Sequence, residues 1–111
     1  MRVLVLLILL AAAGCASRVG PDGLAVGAPC VDAFECVSGS FCLTGRSFPN
    51  GTCTTNCRSD DDCRGESRCV DLESGVCLLS CSSDPECVRE GYRCVEMDAR
   101  DSIERVSVCA G

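Results

Sequence analysis

Apolar residues follow two unlike regimes along this chain. Val3 to Ala13 form an unbroken apolar run, whereas beyond it apolar residues other than Cys come in groups of one to three between polar spacers and cysteines at recurring intervals. The second regime predicts its own elements. A stretch such as Cys69-Val70-Asp71-Leu72-Glu73-Ser74-Gly75-Val76-Cys77 alternates in character with Ser-Gly at the bend, the pattern of a short β-hairpin. Acidic polar spacers precede each such stretch: Val31-Asp32-Ala33-Phe34-Glu35, Arg58-Ser59-Asp60-Asp61-Asp62 and Ser82-Ser83-Asp84-Pro85-Glu86. Their Ser and Asp oxygens accept bonds from nearby backbone amides and favour a tight turn or a single helical turn. Gly39, Gly65 and Gly91 come next and can reverse the chain at a positive dihedral. The prediction is turn, loop and hairpin, three times over.

The cysteines carry the same repeat. Of 13, Cys15 stands alone, and twelve form three sets of four: Cys30, Cys36, Cys42, Cys53; Cys57, Cys63, Cys69, Cys77; and Cys81, Cys87, Cys94, Cys109. An acid precedes the second cysteine of every set (Glu35, Asp62, Glu86), and an aliphatic residue follows the third (Leu43, Val70, Val95). Gly51 and Gly75 lie two residues before the fourth cysteine, a glycine that the last set lacks. Even numbers at regular spacing in an exported chain imply six bridges and no spare thiol, although four cysteines allow three pairings per set and spacing alone does not choose among them.

The first regime sets the compartment. Met1-Arg2, the apolar run and the small residues after it have the layout of an export signal, and 11 apolar residues fall short of the roughly 20 that span a bilayer. The ending Ala12-Ala13-Gly14-Cys15 resembles the lipobox of bacterial lipoproteins, with Ala12 where Leu is commonest. That resemblance implies cleavage before Cys15, lipidation of its thiol, and a membrane partner reached through this anchor. Ala16 after the lipid site implies sorting to the outer membrane of a cell with two membranes. The alternative is an ordinary signal cut near Ala16, giving a freely secreted disulfide-rich inhibitor or ligand module. The expected organisation is a signal over 1–14, the attachment cysteine and a flexible tether over 15–29, and cysteine-rich repeats over 30–56, 57–80 and 81–111.

Composition changes the picture once the signal is removed. Only 27 of residues 15–111 are apolar residues other than Cys, with three Phe, one Tyr and no Trp. Burying so little surface does not offset ordering the backbone at about 1 to 2 kcal/mol per residue. Bridges closing short loops contribute on the order of 3 kcal/mol each and are expected to dominate stability. The expected fold class is therefore small and disulfide-rich: three tandem four-cysteine knots with short β-hairpins and turns, and little regular secondary structure. Three-residue joints, Thr54-Thr55-Asn56 and Leu78-Leu79-Ser80, predict abutting units in a short stiff rod, with Leu78-Leu79 buried between the second and third.

The repeat core, as in Cys57-Arg58-Ser59-Asp60-Asp61-Asp62-Cys63 through Cys69, resembles whey-acidic-protein and Dickkopf-type cysteine-rich modules. It is also similar to tandem repeats of exported lipoproteins from soil and predatory bacteria such as myxobacteria. In the whey-acidic family the first cysteine pairs with the third and the second with a later one. The resemblance thus implies Cys30 with Cys42, Cys36 with Cys53, Cys57 with Cys69, Cys63 with Cys77, Cys81 with Cys94 and Cys87 with Cys109. No adjacent cysteine pair is present, so the protease-inhibiting loop of that family has no counterpart here.

Charge and chemistry narrow the function classes. Without Arg2 the chain has nine Arg and no Lys against 16 acids, which disfavours nucleic acid as a partner. Asp60-Asp61-Asp62 lacks the spaced acids and central Gly of a calcium loop, and there is no His for zinc or for acid-base catalysis. No cofactor, metal site or catalytic residue is expected. The sequence points to a cysteine-rich envelope protein with a structural, adhesion or protein-binding role, recognising an unknown protein or glycan.

Overall fold

The computed structural model describes residues 18–111. Three antiparallel hairpins follow one another: β1 (Phe41–Leu43) with β2 (Thr52–Thr54), β3 (Ser67–Val70) with β4 (Val76–Leu79), and β5 (Arg93–Asp98) with β6 (Arg105–Ala110). One 3-10 turn precedes each hairpin, at Ala33–Glu35, Asp60–Asp62 and Asp84–Glu86. The fold is of the small disulfide-rich class, with six bridges and little regular structure.

The repeated acid has a local job. Glu35 Oε1 accepts from the N–H of Val31 at 2.6 Å, Asp62 Oδ2 from that of Arg58 at 2.8 Å, and Glu86 Oε2 from that of Ser82 at 3.0 Å. Each carboxylate thereby closes its own turn on the amide just after the first cysteine of the set. A second acid ties the turn to the hairpin in two units. Asp60 Oδ1 accepts from the Cys69 amide at 2.8 Å and Asp84 Oδ1 from the Cys94 amide at 2.9 Å. The first unit has Ala33 at that position.

In every hairpin the third and fourth cysteines face each other in register: Cys42 and Cys53, Cys69 and Cys77, Cys94 and Cys109. They do not bridge to one another. Cys42 joins Cys30 and Cys53 joins Cys36; Cys69 joins Cys57 and Cys77 joins Cys63; Cys94 joins Cys81 and Cys109 joins Cys87. This first-to-third and second-to-fourth pattern is also what the whey-acidic resemblance implies. It staples each turn across the face of its hairpin and stacks the two bridges of a unit. Sγ atoms of Cys57, Cys63 and Cys77, for example, lie within 4.8 Å of one another.

The units do not line up as a rod. Leu43 and Phe48 of the first unit, Val70, Val76 and Leu78 of the second, and Ala99, Val106, Val108 and Ala110 of the third form one shared buried cluster. Val70, Val76 and Val108 are completely buried. Main-chain bonds join neighbours: Asn56 bridges to Val76, Val70 to Ala99 and Ser80 to Val108. Leu78 enters the shared core as expected, while Leu79 packs beside Val26 and the Cys57, Cys69 and Cys77 side chains. The short joints force the units to touch, and a continuous apolar face closes them around a centre instead of in a row.

The flexible tether expected over 15–29 is also corrected for its described part. Residues 18–29 form a folded loop laid on the first two units. Gly27 donates to the Cys53 carbonyl and Cys53 to the Ala28 carbonyl, both at 2.8 Å, and Val37 donates to the Leu24 carbonyl at 3.0 Å. Val26 and Ala28 are each 3% exposed. The glycines that read as flexibility serve close packing. Gly27 has φ +113°, and an added Cβ there would collide with the Gly20 carbonyl. Cys15 and the signal lie outside the described residues.

Candidate functional site

Two arrangements bring side chains from distant parts of the chain together. The first is a clasp between the third unit and the first. Arg89 donates to the carbonyls of Gly27 at 3.0 Å, Pro49 at 3.1 Å and Gly51 at 2.7 Å. Its guanidinium also lies over the Tyr92 ring, 4.4 Å from the centroid. The Tyr92 hydroxyl donates to the Pro49 carbonyl at 2.9 Å, with that of Gly51 at 3.2 Å. A planar fork with several donors suits a group of carbonyls better than a point charge would. The clasp is saturated by the protein's own backbone and leaves no donor set aimed at a ligand.

Burial raises the Tyr92 pKa above its ordinary 10.0, against the opposing pull of Arg89. The folded state therefore holds this proton more tightly than the unfolded chain does. The stability it contributes is present below the unfolded value and lost as pH rises through the folded one. Denaturant midpoints measured from about pH 9 to pH 11 should fall with pH. Tyr92 is the one tyrosine in the chain, so Tyr92→Phe should flatten that fall, and an unchanged slope would assign it to another group.

The second arrangement is an open groove of about 1170 Å³ between the first two units and the 18–29 loop. Arg18, Arg58 and Arg64 line it, with Asp62 as its one carboxylate among the described residues. Its apolar side is made of Val19, Ala25, Val26 and Val37, and Ser38, Ser40, Thr55 and Asn56 add neutral polar groups. The walls are held from several directions. Ser40 Oγ donates to the Ala25 carbonyl at 3.0 Å, Asn56 Nδ2 to the Gly75 carbonyl at 3.3 Å, and the Cys57 amide to the same Gly75 carbonyl at 3.0 Å. Gly75, at φ +103°, sits so near the Cys57 carbonyl that a Cβ would collide with it.

Besides Arg89, three further arginines are engaged elsewhere. Arg68 pairs with Asp60 at 2.8 Å, Arg100 with Asp71 at 2.7 Å, and Arg105 with Glu96 at 3.7 Å. The guanidinium groups of Arg18, Arg58 and Arg64 make no hydrogen bond or ion pair among the described residues. The acidic run singled out in the sequence is partly spent on the fold, since Asp60 holds Arg68 and the Cys69 amide while Asp62 closes its turn. Sequence reasoning missed the groove because Arg18 joins Arg58 and Arg64 only when the 18–29 loop is folded against the second unit. The uneven use of Arg in an acidic chain was the available signal. Compared with known proteins, the chain matches no family model, no curated protein and no solved structure.

Proposed function

We propose that this chain is a lipid-anchored binding module of the cell envelope, carried on Cys15 at the outer membrane and presenting a rigid, disulfide-held surface to a partner. The observation that carries this reading is the combination of a leader ending in Ala-Gly-Cys with twelve cysteines all paired inside the folded part. Complete pairing belongs to an oxidising, exported setting. It also leaves Cys15 as the one cysteine of the sequence outside these six bridges. Among the described residues no helix is long and apolar enough to cross a membrane. A single acyl chain holds a protein only marginally, whereas the multiple chains of a lipoprotein anchor stably.

Binding is a better fit than catalysis. The chain has no His, its thiols are consumed in bridges, and the groove has one carboxylate and therefore no carboxylate pair for acid-base work. Its acidic balance is a poor match for nucleic acid. Mass spectrometry of the mature N-terminal peptide, with the full chain expressed in a two-membrane bacterial host, tests the anchor. The expected peptide begins at Cys15 with a diacylglyceryl group and an amide-linked acyl chain, and Cys15→Ser should move the protein out of the membrane fraction. An unmodified N-terminus beyond Cys15 would overturn the anchor and favour the freely secreted module.

A further inference from the structure

We infer that the groove between the first two units receives an extended polypeptide segment of a partner protein, one that carries carboxylates alternating with apolar side chains. The inference rests on the binding reading above and names the partner's chemistry.

Charge is the first argument. The chain has 16 acids against ten Arg, yet this one groove gathers three arginines and a single carboxylate. That carboxylate, on Asp62, already accepts the Arg58 amide. Three unengaged guanidinium groups in one concavity raise the local potential and attract an anion. Their planar forks match carboxylate oxygens two at a time.

Shape and lining select among anions. At about 1170 Å³ and open to solvent, the groove exceeds the roughly 300 to 1,000 Å³ of pockets that enclose small molecules. An extended ligand fills such a trough better than a compact one. Among the described residues its lining includes no Phe, Tyr or Trp, the aromatic faces on which bases stack. Instead the part-exposed Val19, Ala25 and Val37 offer apolar contact next to the arginines, backed by buried Val26. In an extended peptide successive side chains point to opposite faces, with about 3.3 Å per residue. Acids and aliphatics alternating along it can reach the cationic rim and the apolar side together. The walls are fixed by bridges and main-chain bonds before anything binds, which lowers the ordering cost of association.

The test uses the oxidised chain from Cys15 onward and a fluorescein-labelled peptide of alternating glutamate and valine, with anisotropy as the readout. Binding is expected at low ionic strength and should weaken about tenfold or more on going from about 50 mM to 500 mM salt. Combined Arg58→Gln and Arg64→Gln should weaken it by about tenfold or more, since each removes a charge-assisted partner. Arg46→Gln removes a single charge outside the groove and should leave binding within about twofold. Intact mass and thermal midpoint confirm that each variant keeps its bridges and fold. Equal losses from Arg46→Gln, or equal binding of a lysine-valine peptide, would overturn the assignment. Binding of a heparin hexasaccharide through Arg58 and Arg64, with none of the acidic peptide, would overturn the peptide but keep the groove as a binding site. No binding of either probe would overturn both, while the anchor on Cys15 stands or falls on its own mass measurement.

Discussion

Complete reduction of the six bridges abolishes the fold. Treated with a phosphine reductant and a thiol-blocking reagent, without denaturant, the chain should lose its amide chemical-shift dispersion and its strand signal in circular dichroism. The reason lies in how the structure divides its stabilising terms. Loops closed by the bridges run from 12 to 22 residues, each worth on the order of 3 kcal/mol through restriction of the unfolded chain. Folded domains of ordinary stability hold only about 5 to 15 kcal/mol in total. The shared core opposes unfolding, but it is built mostly of Val, Ala and Leu, with Phe48 its one buried aromatic. Hairpins with strands of three to six residues are marginal alone, and here each is held to its turn by a pair of bridges. Dispersion that survived full reduction would show that the core alone carries the fold.

What the sequence revealed, and what it concealed, divides by range. The turns, reversals and hairpins were legible because each depends on residues within one repeat: an acid before the second cysteine, a glycine after it, an alternating run to the fourth. Glu35, Asp62 and Glu86 recur for a reason that their own turns supply. The closed arrangement was not legible. Leu43, Val106 and Ala110 look like ordinary strand residues and Phe48 like a loop residue, and nothing local says that they meet. Nor do Gly23 and Gly27 distinguish a loose tether from a loop packed so tightly that only glycine fits, because composition is the same in both. The groove inherits this blindness, as Arg18 reaches it only when that loop is folded.

Removing Arg89 should open the closed arrangement without touching a bridge. Arg89 links residues 62, 40 and 38 positions away, through the carbonyls of Gly27, Pro49 and Gly51. In Arg89→Ala those carbonyls lose a charged donor at a part-buried joint, and Tyr92 loses the cation over its ring. Hydrogen bonds to charged groups contribute about 1.5 to 3 kcal/mol each, and their sum is not additive. A total loss of about 3 kcal/mol is expected, which lowers the thermal midpoint of a domain this size by roughly 15 °C. Arg89→Lys keeps the charge on a single ammonium without the planar fork, so it should recover less than half of the loss. The effect should concentrate at the joint: amides around Pro49, Gly91 and Gly111, where Gly111 donates to the Ser47 carbonyl at 2.7 Å, should exchange faster. Those of β3 and β4, whose bridges lie within the second unit, should change least. An Arg89→Ala variant with the parent's midpoint and exchange pattern would mean that the apolar cluster alone closes the three units, and that the clasp follows their packing instead of securing it.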